Sequence, residues 1–334
     1  MLLTVRRTDS SDYRGLIMID YTIYYKTQLP IDQDWSASCK WDVFISAFNS
    51  TDRVKGVFEK APSAVKHWLM IPDYGYKSTE YPCGRVFAPN FNREADFILA
   101  YASDAHLDVT NKRVCVDITG FIKPYMLFLM KWLFDQKVRI VDVLYSEPGL
   151  YKNKEETKFS DEEVTEVRQI QGYEGTHLTD TSNDLLIIGA GYDHELIAQV
   201  AESKGSARKV QIFGLPSLRP DMYQENVLRA HRAVEAVGGD KAIGTNSFYA
   251  PANDPFVTAS VIQSIVKREL AKRTITNLYL CSVATKPQSL GFAIYYLTEC
   301  QGRDVSMLYP ICKSHSRETS EGLSRIWKYT VEFS

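Results

Sequence analysis

Residues 114–133 read VCVDITGFIKPYMLFLMKWL, and residues 278–297 read LYLCSVATKPQSLGFAIYYL. Each starts as a short apolar run, breaks on small and polar residues, and restarts at Lys-Pro with a helical pattern. A run of that length bounded by a turn is the signal of a buried strand feeding a helix. Proline suits the first helical turn, because the N–H it lacks would have no partner there.

Outward from these stretches, the same rhythm recurs in one order through both halves. WDVFISAFN (41–49) answers to DLLIIGAGYDHEL (184–196), with Asp42 and Asp184 offset by 142. KHWLMIPDY and KVQIFGLPS start at Lys66 and Lys209, offset by 143. Ala88-Pro89 and Ala250-Pro251 are offset by 162, Lys123-Pro124 and Lys286-Pro287 by 163, and Arg139 and Arg303 by 164. The jump falls in Met222–Asn246, which reads as an added helix with a Gly-rich end. Short apolar runs alternating with helical patterns imply β-α-β units. The expected fold is therefore α/β, with two similar Rossmann-like lobes, mostly parallel sheets, and an origin in internal duplication.

Strands are expected near 42–46, 67–71, 85–87, 113–118 and 139–145, and again near 184–189, 209–214, 247–249, 277–282 and 304–309. Helices near 91–102 and 124–134 answer to 255–273 and 287–300. The lobes span 41–150 and 184–334. Residues 1–40 form an N-terminal extension with an extra strand in Leu16–Leu29. The acidic, Lys-rich connector, 151–183, has an alternating EVTEVRQI that suits an edge strand. Ser314–Phe333 reads as an amphipathic helix and a closing strand, or more sharply as a polar rim on a ligand crevice.

The 334 residues are 45% hydrophobic, enough for a sizeable core. A net charge of -2 gives no footprint for general nucleic-acid or anionic-membrane binding. The six cysteines form no C-x-x-C pair, which points to a reducing compartment and no zinc site. The opening turns charged too early for a signal peptide, and Tyr125–Phe134 is too short to span a bilayer. A soluble, cytoplasmic chain is expected.

Ligands of open parallel sheets bind beyond the carboxyl ends of the strands. Two loops per half qualify: Ser46–Arg53 and Gly189–Glu195 after the first strand, Asp117–Pro124 and Ser282–Pro287 after the fourth. Small residues admit a ligand to the backbone, and a helix N-terminus favours an anion. Candidate ligand contacts are Ser46, Asn49, Thr119, Gly120, Lys123, Gly189, Gly191, Ala284, Thr285 and Lys286. The plainer reading is that Thr119 and Thr285 only cap their helices. Gly189-x-Gly191 lacks the third glycine of a dinucleotide fingerprint, and no Walker A, G-x-S-x-G or H-E-x-x-H occurs. His67 reads as structural. No cofactor is named by these residues.

The turns DITGFIKP (117–124) and SVATKP (282–287) resemble those of CRISPR-associated Rossmann-fold (CARF) domains, and two such units in one chain resemble the SAVED domains of bacterial antiviral systems. The family's turn carries more glycine; Phe121-Ile122 and Val283-Ala284 stand in its place here. The resemblance implies a cyclic or linear nucleotide signal held across two lobes by Thr119, Gly120 and Lys123 on one side and Ala284, Thr285 and Lys286 on the other. Some relatives cleave the bound ring. The expectation is a sensor or regulatory subunit for a nucleotide or other phosphorylated small molecule, acting through a protein effector. The alternatives are an enzyme processing such a ligand, with Asp117, Asp193 or Glu147 as acid–base groups, and a protein-binding scaffold with no small ligand.

Overall fold

The strands that read as unbroken apolar runs occupy sheet centres, where helices cover both faces. In a computed structural model, residues 19–151, 164–191, 193–218, 237, 246–312, 315–317 and 320–333 are described. The strands are β1 (Tyr25–Leu29), β2 (Trp41–Ala47), β3 (Ser63–Leu69), β4 (Arg85–Phe87), β5 (Val114–Asp117), β6 (Ile140–Glu147), β7 (Leu150–Tyr151), β8 (Val164–Gln169), β9 (Leu185–Gly189), β10 (Arg208–Gly214), β11 (Ser247–Ala250), β12 (Leu278–Ser282), β13 (Val305–Cys312), β14 (Ser320–Glu321) and β15 (Arg325–Glu332). Every residue of β5, β9 and β12 is buried. The helices described are α1 (Asp52–Lys60), α2 (Glu94–Asp104), α3 (Lys123–Asp135), α4 (His194–Ser203), α5 (Pro255–Leu270) and α6 (Lys286–Tyr295).

Two sheets carry the fold. The first runs β1-β15-β6-β5-β2-β3-β4, and the second β11-β10-β9-β12-β13-β8. Within each, five strands are parallel, in matching order about a first strand, β2 or β9. These are the two Rossmann-like lobes, with strands and helices close to their expected places. The helix expected in Met222–Asn246 falls largely outside the described residues.

Lobes and chain halves do not coincide, which amends the expected boundaries. After the fifth strand of each lobe comes a two-residue strand, β7 or β14, which pair with each other, and the strand after that crosses to the other lobe. β8, in the connector, pairs antiparallel with β13 of the second lobe. β15, at the chain end, pairs antiparallel with β6 of the first. Arg168 on β8 reaches back to the buried Glu94 of α2 through two hydrogen bonds, of 2.8 and 2.7 Å. Tyr329 on β15 donates its hydroxyl to the Asn253 carbonyl of the second lobe at 2.7 Å. One apolar core continues from α3 into α6 and so spans both lobes.

The extension contributes β1 to the first sheet, shorter than Leu16–Leu29 and starting at Tyr25. Of the C-terminal stretch, the described residues contain the closing strand and no helix. Five of six cysteines are buried, none in a disulfide. Among the described residues, no helix is long and apolar enough to cross a membrane, and no group of three His, Cys, Asp or Glu is placed to hold a metal ion.

Candidate functional site

In each sheet the strand order reverses between the first and fourth strands, β2/β5 and β9/β12, and this is where an open α/β sheet offers its crevice. Both crevices open on one cavity of ≈ 170 Å³. The first lobe lines it with Asn49, Thr51, Arg53, Tyr74, Thr119, Phe121, Ile122, Lys123 and Tyr145. The second supplies Gly191, Asp193, Leu196, Gln288, Tyr309 and the run Val283 to Lys286, among others. His315 and Ser316 also face it, so the C-terminal stretch does supply part of a polar rim.

The two lysines that open α3 and α6 cross over. Lys286, on the second lobe, donates to the Thr119 carbonyl of the first. Lys123, on the first, places its ammonium 5.9 Å from the ring centre of Tyr309 on the second. Lys123 has no hydrogen-bond or ion-pair partner among the described residues. Burial is the main reason both lysines resist protonation. Lys123 is lowered to about 8, and Lys286, with Arg53 and Lys123 nearby, to about 7. Arg53 donates to the Ser146 carbonyl at 2.6 Å, while its buried Nε has no partner. The buried hydroxyl of Thr51 has none either.

Asp117 lies under the floor. Its carboxylate accepts from the Ser46 hydroxyl at 3.1 Å and the Thr119 N–H at 3.0 Å, and burial raises its pKa against those bonds. Ser46 is fully buried and touches Asp117 from behind the lining. Thr119 lines the cavity and does not cap α3, since its hydroxyl accepts from the Ser146 N–H at 2.9 Å. Thr285 does cap α6, accepting from the Gln288 N–H. Asn49 donates to the Arg317 carbonyl and accepts from the Thr51 N–H.

The glycines keep the two loops of each crevice together. A Cβ on Gly120 would collide with the Ala47 carbonyl, and one on Gly191 with the Val283 carbonyl. In the first lobe the glycine sits on the fourth-strand loop, in the second on the first-strand loop. Gly191 lines the cavity; Gly120 and Gly189 do not.

Asp193 lines the cavity and caps α4 through Oδ1, which accepts from the N–H groups of Glu195 and Leu196. Glu147 is placed elsewhere. It is buried at the end of β6, accepts from Asn253 at 2.9 Å and Trp327 at 2.6 Å, and faces Arg325 at 3.6 Å. His67 is buried against Tyr101 and lowered to about 4 by that burial, a structural histidine.

The contacts missed in the sequence are Thr51, Arg53, Tyr74, Tyr145, Gln288 and Tyr309. Thr51 and Arg53 lie in the first-strand loop Ser46–Arg53, but nothing in the repeat marks them, because the second copy has different residues there. The tyrosines come from the interior of β6 and β13 and from a short turn, where an aromatic residue reads as core.

No family model matches the chain, and no curated protein matches it. Among solved structures, CobK precorrin-6A reductase is similar at 9% identity and a TM-score of 0.23, over 81% of this chain and 89% of that one.

Proposed function

We propose that the chain is a sensor that binds a phosphorylated ligand of the nucleotide class between its lobes and signals to a protein partner. One observation carries this reading. Arg53, Lys123 and Lys286 converge on one cavity, and none of them makes an ion pair among the described residues. Half-buried basic groups without counter-ions are costly to charge, and a phosphate would relieve that cost through charge-assisted hydrogen bonds. Tyr74, Tyr145 and Tyr309 line the cavity, and aromatic side chains there suit a base. The defence setting is supported by the resemblance of the two Lys-bearing turns.

The test is equilibrium binding of AMP, ADP and a cyclic dinucleotide to the wild type and to the Lys123→Met/Lys286→Met double variant. Binding of at least one of them, weakened by about a hundredfold or more in the variant, is expected from the loss of two charge-assisted contacts. Equal binding by both proteins would remove the cleft from the account.

Processing of the ligand in the same cleft is the second reading, favoured by Lys286. An amine lowered to about 7 beside a buried carboxyl can exchange a proton at neutral pH. Chromatography of the nucleotide after incubation separates the readings: an intact ligand supports the sensor, a converted one the enzyme.

A further inference from the structure

The two ends of the cavity differ in charge, and the difference comes from one pair of equivalent loops. After β2 the chain places Thr51 at the N-cap of α1, with Arg53 two residues on. After β9 it places Asp193 at the N-cap of α4, with Glu195 two residues on. Thr51 makes no capping bond, and its buried hydroxyl and the buried Nε of Arg53, on two residues that line the cavity, have no hydrogen-bond partner. In the second lobe the carboxylate of Asp193 already occupies the helix N-terminus, where an incoming anion would sit.

The crossed lysines sharpen the contrast. Lys286 reaches Thr119 and so joins Arg53 at the first-lobe end, giving two basic groups and no lining acid there, with the Asp117 carboxyl, raised by burial, beneath the floor. Lys123 lies toward Tyr309 and feels the charge of Asp193, so the second-lobe end is balanced. Oδ2 of Asp193 makes no hydrogen bond among the described residues and is left to accept one.

We infer that the ligand is asymmetric, with a phosphomonoester end held in the first lobe by Thr51, Arg53 and Lys286, and an uncharged end that donates a hydrogen bond to Asp193 in the second. This rests on the reading of the cleft as a phosphorylated-ligand site. A nucleoside monophosphate has this polarity, its phosphate at one end and its hydroxyl or amino donors at the other.

The test is titration of inorganic phosphate and of AMP, followed by phosphorus NMR and calorimetry, with the melting temperature of each variant recorded alongside. One phosphate is expected per chain. Arg53→Gln should weaken it by about tenfold or more, as for a lost charge-assisted bond. Thr51→Val, which removes only an unpartnered hydroxyl, should weaken it severalfold without lowering the melting temperature. Asp193→Asn keeps the cap but turns the free acceptor into a donor. It should leave phosphate binding unchanged and weaken AMP. Two phosphates per chain, with Lys123→Met as damaging as Arg53→Gln, would overturn the asymmetry while leaving the cleft a phosphorylated-ligand site. Binding of neither phosphate nor AMP by the wild type would overturn both.

Discussion

The first-strand loops of the two lobes share a place in the fold and differ in charge. Thr51 and Arg53, which line the cavity, each keep a buried donor without a partner, whereas Asp193 closes its own helix end with a carboxylate. The fourth-strand loops have instead kept the same Lys-Pro opening, and each lysine reaches the opposite lobe. The two lobes thus share the parts that build the cleft and differ in the parts that grade its charge.

The largest effect should come from the exchanged strands, whose fastenings differ. Arg168→Ala strands the buried Glu94 carboxylate and should cost about 3–5 kcal/mol in urea unfolding. Tyr329→Phe, on the equivalent strand, removes a neutral hydrogen bond and should cost about 1 kcal/mol. Equal costs would mean that the two crossings are held alike.

Next are the close approaches at the crevices. Gly120→Ala and Gly191→Ala each drive a methyl into a backbone carbonyl and should each cost about 2 kcal/mol or more. A mild effect at either one would show that this crevice can widen and the other cannot.

The crossed lysines predict a pH dependence. Their folded values, about 8 for Lys123 and about 7 for Lys286, lie below the ordinary lysine value of 10.5. Between those values the unfolded chain binds more protons, so stability of the ligand-free protein should rise as pH goes from about 7 to about 10. Replacing both lysines by methionine should flatten that rise in melting temperature. Phosphate binding should take up protons near pH 8, visible as a dependence of the calorimetric heat on the buffer.

The smallest effect separates the two helix caps. Asp193→Ala should cost about 1 kcal/mol, and Thr51→Ala close to nothing, because only Asp193 makes capping bonds. A comparable loss at Thr51 would deny that its hydroxyl is held in reserve.

Much of the fold was legible because its strongest signals are local. Apolar runs such as LLIIG in β9, and Lys-Pro at both helix starts, carry their reading in a few neighbouring residues. The exchange of β8 and β15 was not legible, since strand alternation shows that a strand exists but not which sheet receives it. Within the site, Lys123 and Lys286 were found because they repeat. Arg53 carries no such mark, because its counterpart is Glu195, and only packing reveals its unpaired Nε. Glu147 was chosen for its place after a strand, yet the partners that occupy it, Asn253 and Trp327, come from 106 and 180 residues away.

The central claim, a shared cleft that takes a phosphorylated ligand, is tested most directly by native mass spectrometry of the protein purified from its own cells. The account predicts an added mass that contains phosphorus and disappears in the Lys123→Met/Lys286→Met variant. An added mass that persists in that variant, or a bare wild-type chain bound only to another polypeptide, would contradict it.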